Sequence, residues 1–186
     1  MDPTPGHESI RTARLDLIAL SEPFVAFLVA GDARAAAGEI GARVGPWLAS
    51  QRDHVVQLHL AEAAGRAAGF AGLGWLIVLA DRSRRHVIGS IGFHGPPDDR
   101  GRLEVGCRIH PMYRGRGYAA EALAAVLASA TTRFGITRFL VVVPSPGTAL
   151  DLVPIEISSR SGSSSGEPIE GLADLVELER RAVERP

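Results

Sequence analysis

HPMYRGRGYAAEAL, residues His110 to Leu123, carries the chain from a strand-like run that stops at Pro111 into a long apolar helix. No Ser, Thr, Asp or Asn stands where that helix begins, so no side chain of the usual capping kind is at hand. The first-turn N–H groups of a helix have no intrahelical partner, and something other than a cap must meet them. Downstream, Leu123, Val126, Leu127, Ala130 and Phe134 fall on one helical stripe that needs a sheet to cover it, with Glu121, Ser129 and Arg133 off the stripe. The runs before and after, RLEVGCRI and RFLVVV, read as strands, so Arg102 to Val143 forms one β-α-β unit. The helix therefore starts at a sheet edge with Arg114, Gly115, Arg116 and Gly117 curled ahead of it. Free N–H groups and the helix dipole favour an anion there, glycines permit close backbone approach, and guanidinium groups bond phosphate oxygens in a forked, charge-assisted way. The stretch reads as a phosphate-binding loop.

Outward from this unit, IRTARLDLIAL reads as a first strand and SEPFVAFLVA as a helix opened by Ser21, Glu22 and Pro23. SQRDHVVQLHLAEAAGRAAG is a second helix, with Gly65 and Gly69 as expected terminators. GWLIVLA, HVIGSIGF and RLEVGCRI are strands joined by the polar turns DRSRR and HGPPDDRG, and turns this short imply antiparallel neighbours. With 186 residues, 46% of them hydrophobic, the chain suits a single domain over residues 1–186. SSRSGSSSG, within 158–168, reads as a flexible linker, and Pro154 would break any helix begun at TALDLV.

Several classes are excluded by composition. The formal net charge of -1 is wrong for a general nucleic-acid binder, so the arginine clusters RSRR and YRGRGY read as solvated turns. No apolar run approaches a membrane span, the N-terminus lacks a basic segment followed by a hydrophobic one, and a cytoplasmic setting is expected. All 20 basic residues are arginine, so no lysine exists to form a Schiff base or complete a Gly-Lys-Ser/Thr phosphate loop. Cys107 is the single cysteine, and His54 and His59 lie five apart rather than at helical ligand spacing, so no metal is expected.

EVGCRIHPMYRGRGYAAEAL resembles the coenzyme A signature of the GNAT acyltransferases, whose motif Arg/Gln-x-x-Gly-x-Gly/Ala is met by Arg114, Gly117 and Ala119. IRTARLDLIAL and VIGSIGFHGPPDDRGRLEVG resemble the opening strand and central hairpin of its ribosomal-protein N-acetyltransferase branch, and the resemblance covers about residues 8 to 150. It implies an α/β (α+β) fold: a mixed, mostly antiparallel sheet with flanking helices, whose two central strands splay apart to admit acetyl-CoA as co-substrate. The pantetheine would pair with the backbone around Arg108, Ile109 and His110. The pyrophosphate would sit on Arg114, Gly115, Arg116, Gly117, Tyr118 and Ala119. The resemblance implies an N-acetyltransferase whose acceptor is a small-molecule amine or a protein N-terminus, with a homodimer left open. The C-terminal segment departs from the family pattern: after Val143 it holds no Asn, no Tyr and no Gly-Phe pair, so the tyrosine that many members use as general acid is missing.

Direct acetyl transfer needs a proton acceptor for the amine and a donor for the thiolate. Period-two alternation puts Arg102, Glu104, Gly106 and Arg108 on one strand face, so Glu104 is the candidate base, with a simple ion pair to Arg102 or Arg108 as the alternative. A hydroxyl such as Ser145 or Thr148, or water, would serve the thiolate. Cys107 shares the face of Leu103 and Ile109 and reads as a buried filler. His94 and His110 stand near the cleft as acceptor contacts or as ordinary turn and strand-end residues, and Trp47, on a loop, as an acceptor contact or a core anchor. A coenzyme A-binding or sensing module without catalysis is the competing reading.

Overall fold

The computed structural model describes residues 9–70, 74–81, 85–144 and 150–156. The chain opens with a tight hairpin rather than one strand. Strands β1 (Ile10–Arg11) and β2 (Leu15–Ala19) pair antiparallel because the Thr12 N–H and hydroxyl both donate to the Leu15 carbonyl and close a turn between them. Helix α1 (Glu22–Val29) is capped by the Ser21 hydroxyl, which accepts from the Phe24 N–H, and Pro23 sits in its first turn, where its missing N–H costs nothing. Helices α2 (Ala33–Ile40), α3 (Pro46–Ser50) and α4 (Arg52–Ala67) follow. Trp47 lies in α3, not in a loop, because Pro46 presets the dihedral angle of the first helical position. Gly65 is a buried interior residue of α4 rather than its terminator, and its carbonyl accepts from the Phe70 N–H beyond the helix end.

Strands β3 (Gly74–Leu79), β4 (Val87–Phe93) and β5 (Arg102–Ile109) form an antiparallel meander with β2. A short turn of 3-10 helix, Pro111–Tyr113, leads through the glycine-rich loop into α5 (Tyr118–Phe134). Strand β6 (Arg138–Pro144) then lies parallel to β5, as a β-α-β crossover requires. Leu150–Glu156, the segment in which Pro154 forbids a helix, forms β7 antiparallel to β6. Among the described residues the sheet has seven strands in the order β1 to β7, one neighbour pair being parallel.

Both faces of the sheet are covered. Leu123, Val126, Leu127 and Ala130 of α5 pack with Trp75, Phe93, Val105 and Phe139 on one side, while Phe24, Leu28, Leu48 and Leu58 from α1, α3 and α4 pack with Leu76 and Val78 on the other. Phe134, at the end of the α5 stripe, is half-buried against Phe70. Residues 158–168 and the tail beyond them lie outside the described residues.

Candidate functional site

The start of α5 has the geometry of an anion cradle. Gly117 holds the capping position at φ 75°, Gly115 stands at φ 68°, and no side chain caps the helix. Both dihedrals are in the left-handed region that a side chain disfavours, so glycine is required at each. From Gly115 through Ala120 the backbone N–H groups meet no acceptor among the described residues.

The loop is pinned from the far end of the chain. Arg14, in the β1–β2 turn, donates through Nε to Glu121 Oε2 at 2.6 Å, through its own N–H to Oε1 at 2.8 Å, and through Nη1 to the Arg116 carbonyl at 3.0 Å. Thr12 Oγ1 adds a bond to Glu121 Oε1 at 2.6 Å. Burial raises the Glu121 carboxyl, but the bonds from Thr12 and Arg14 outweigh it and hold the group below its ordinary value. A carboxylate in the first helical turn also complements the dipole. Arg14 further lies over the Tyr118 ring, 4.7 Å from its centroid. This clamp was invisible in sequence: 107 residues separate Arg14 from Glu121, and no local pattern marks either.

Next to the cradle the sheet opens. Pairing between β5 and β6 runs from Arg102↔Arg138 to Gly106↔Val142 and stops, while β5 stays with β4 up to Ile109 and β6 stays with β7 up to Pro144. The two parallel strands therefore splay beyond Gly106. The His110 N–H donates to the Ile88 carbonyl on β4, and backbone polar groups alternate along a strand, so Arg108 and His110 turn theirs toward β4. Of the three residues expected to present backbone to a ligand, Ile109 alone faces the gap, joined there by Cys107. The Ile109 carbonyl accepts from Arg114 Nε at 3.0 Å, which fastens Arg114 across the mouth of the splay.

Polar side chains collect where the splay begins. Glu104 and His94 are directly opposed across β4 and β5, and His94 Nδ1 lies 2.8 Å from Glu104 Oε1. Glu104 pairs with neither Arg102, which is bonded to Asp98, nor Arg108, which donates to Gln51 at 3.0 Å. A carboxylate only accepts, so the hydrogen of this bond sits on Nδ1, and in the neutral ring the lone pair is then the one on Nε2. That nitrogen lies over Gly106: a Cβ placed there would stand 2.7 Å from it. Gly106, opposite Gly92, is the last β5 residue paired with β6, so the imidazole sits at the fork of the strands. The side chains of His94 and Glu104 are 34% and 44% exposed, within reach of a molecule arriving from solvent.

His54, from α4, forms the wall behind, its ring edge-on to His94 with centroids 6.5 Å apart. Its Nε2 is buried with no hydrogen-bond partner among the described residues. Burial, then the positive Arg108 and then His94, lower its pKa from 6.5 to about 4. A depressed histidine leaves the unfolded chain to take up the proton first, so acidification from about 6.5 to about 4 favours unfolding, and the stability His54 contributes is present only above that window. Denaturant midpoints of the wild type should fall between pH 7 and pH 4, and the His54→Phe variant should lose part of that slope; equal slopes would remove His54 as its source.

The acetyltransferase (GNAT) domain family matches residues 19–146. The chain belongs to that family. Within the GNAT fold the splayed pair is β5 and β6, and the family's motif residues Arg114, Gly117 and Ala119 fall on the loop and first turn just described. One relative is the uncharacterized N-acetyltransferase YjdG of Bacillus subtilis (strain 168), 33% identical over 64 residues, which is 34% of this chain and 37% of that one. The match thus spans little more than a third of that relative's length. Solved structures it is similar to include an acetyltransferase from Agrobacterium tumefaciens str. C58 (22% identity, 77% and 78% of the two chains, TM-score 0.46). Another is the Salmonella typhimurium acetyltransferase that modifies the N-terminal serine of ribosomal protein L7/L12 (16% identity, 72% and 74%, TM-score 0.45).

Cys107 is half-buried against the apolar core, in keeping with a filler. Trp47 and His110 meet edge to face at 5.1 Å, away from the fork. Ser145 and Thr148, expected to serve the thiolate, lie outside the described residues. Among the described residues no cluster of His, Cys, Asp and Glu could hold a metal, and no helix is long and apolar enough to cross a membrane.

Proposed function

We propose that this protein transfers an acetyl group from acetyl-CoA to a primary amine, in the cytoplasm, with His94 and Glu104 as the proton-accepting pair. One observation carries the reading: a cradle of unmet N–H groups at the start of α5 and a free imidazole nitrogen at the fork of β5 and β6 lie at opposite ends of the same opened strand edge. The residues fit the co-substrate. The N–H groups from Gly115 to Ala120, with Arg114 and Arg116, would hold the pyrophosphate, and the Ile109 N–H, on the gap side beyond the last β5–β6 pair, would donate to a pantetheine carbonyl. Bound acetyl-CoA supplies a thioester activated toward amines. As the amine nitrogen bonds the acetyl carbon and the C–S bond breaks, His94 Nε2 takes the proton of the amine, Glu104 holds the ring in the tautomer that keeps Nε2 unprotonated and favours the cation that results, and the leaving thiolate takes a proton from water.

The test is to incubate the protein with acetyl-CoA and a panel of amines and N-terminal peptides, following thiol release and product mass. Acetylated product from at least one acceptor is expected. Tight acetyl-CoA binding by calorimetry with no product from any acceptor would overturn transfer in favour of a coenzyme A-binding module.

A further inference from the structure

At the far end of β5 from the fork lies a groove of about 1170 Å³ between α2, the crossing segment before α3 and the end of β5. That exceeds the roughly 300 to 1,000 Å³ of ordinary small-molecule sites. The crossing segment is fixed to the sheet: the Arg43 N–H donates to the Arg85 carbonyl and the Arg43 carbonyl accepts from the Val87 N–H, each at 3.0 Å. The backbone that presents Arg43 is therefore rigid while its side chain is exposed and has no hydrogen-bond or ion-pair partner among the described residues. Arg85, by contrast, is neutralised by Asp16 and bonded to the Gly41 carbonyl. Among the described residues no carboxylate lines the groove, and Trp47 and His110 meet edge to face in its wall.

Strand β5 serves as a ruler. His110 lies four residues beyond Gly106 along the strand, about 13 Å at ~3.3 Å per residue, and Arg108 projects from the same face between them. A molecule whose amine meets His94 and whose far end enters the groove must span that distance, which is beyond a single amino acid and matches about four extended peptide residues. We propose that the acceptor is a peptide N-terminus whose aspartate or glutamate near the fourth position is bound by Arg43. The assignment rests on the acetyl-transfer reading above and adds the acceptor's class and charge to it.

The experiment compares Ser-Gly-Gly-Asp-Gly, its Ser counterpart at the fourth position, its Lys counterpart, and a peptide with the Asp moved to the second position. Each is assayed on the wild-type protein and on Arg43→Gln and Arg43→Glu, by product formation and independently by the Trp47 fluorescence change on peptide binding. The wild type should favour Asp over Ser at the fourth position by roughly 5- to 10-fold, as expected for a partly exposed charge pair. Arg43→Gln should abolish the preference and Arg43→Glu should turn it toward Lys. An Asp-to-Ser ratio identical in the wild type and Arg43→Glu, or an equal preference with the Asp at the second position, would overturn the proposal. If a small amine is acetylated and no peptide is, the peptide acceptor is overturned while transfer stands; if neither is acetylated, the transfer reading has failed, and the fluorescence titrations still decide the groove: charge-dependent affinity that follows Arg43 supports it, and equal affinities sink it.

Discussion

Replacing His94 by Phe is expected to lower turnover by roughly 10²- to 10⁴-fold, the range for loss of one proton-transfer group, while acetyl-CoA affinity stays within about twofold of the wild type. Phe keeps a ring over Gly106 and so preserves the shape of the fork, but offers no lone pair where Nε2 stood. Glu104→Gln should cost less, because a Gln carbonyl can still accept from Nδ1–H but leaves the imidazolium without its counter-charge. His94→Phe should flatten the fall of rate on the acid side, because the group that must be unprotonated is gone, whereas Glu104→Gln should keep that fall. Product measured by mass spectrometry from pH 6 to pH 9 decides between the two groups. A larger loss in Glu104→Gln than in His94→Phe would make Glu104 itself the base, and equal rates for the wild type and both variants would remove the pair from the chemistry.

Gly117→Val should weaken acetyl-CoA binding by at least about 100-fold and leave the helix content intact. Gly117 sits at φ 75°, where a β-branched residue is strained by roughly 1 to 3 kcal/mol. Space is not the difficulty, since an added Cβ would meet only Arg14 Nη2, at an ordinary 3.5 Å. The turn relieves the strain by rotating out of the left-handed region, and the N–H groups of Gly117 and Tyr118 then no longer converge with those of Ala119 and Ala120. A loss of about 2 kcal/mol corresponds to a fall in melting temperature of roughly 4 to 8 °C for a chain of this size. Calorimetry gives the affinity, and circular dichroism with thermal melting gives the fold. Retained affinity would show that the cradle does not bind the pyrophosphate, and loss of the helical signal would make Gly117 a structural residue.

The β-α-β unit was legible because its signals are local. A capless helix with one apolar stripe, two glycines and two arginines ahead of it, and an apolar run behind it can be satisfied in few ways, and the structure adopts the expected one. The antiparallel meander was legible for the same reason, through short polar turns between apolar runs. Where the reading of elements differed, a short-range geometric detail prevailed: Thr12 closing on Leu15 splits the first strand, and Pro46 nucleates a one-turn helix around Trp47. Arg108 and His110 face β4 because the hydrogen-bonding parity of an antiparallel pair depends on register, which no residue type announces.

By itself the sequence determined the order of the central strands and of α5, the polar and apolar faces of β5 and the uncapped, glycine-rich start of α5, since each follows from neighbours a few residues apart. Only the tertiary structure decided that Glu104 answers to His94 rather than to an arginine, that Arg14 clamps the loop, that His54 Nε2 is buried with no hydrogen-bond partner among the described residues, and that the Arg43 side chain is unpaired among them where it lines a groove. Those relations join residues distant along the chain. They exist because strand register and helix packing bring the residues within hydrogen-bond range, and the pairing energy is realised only once the sheet and its covering helices have set those distances.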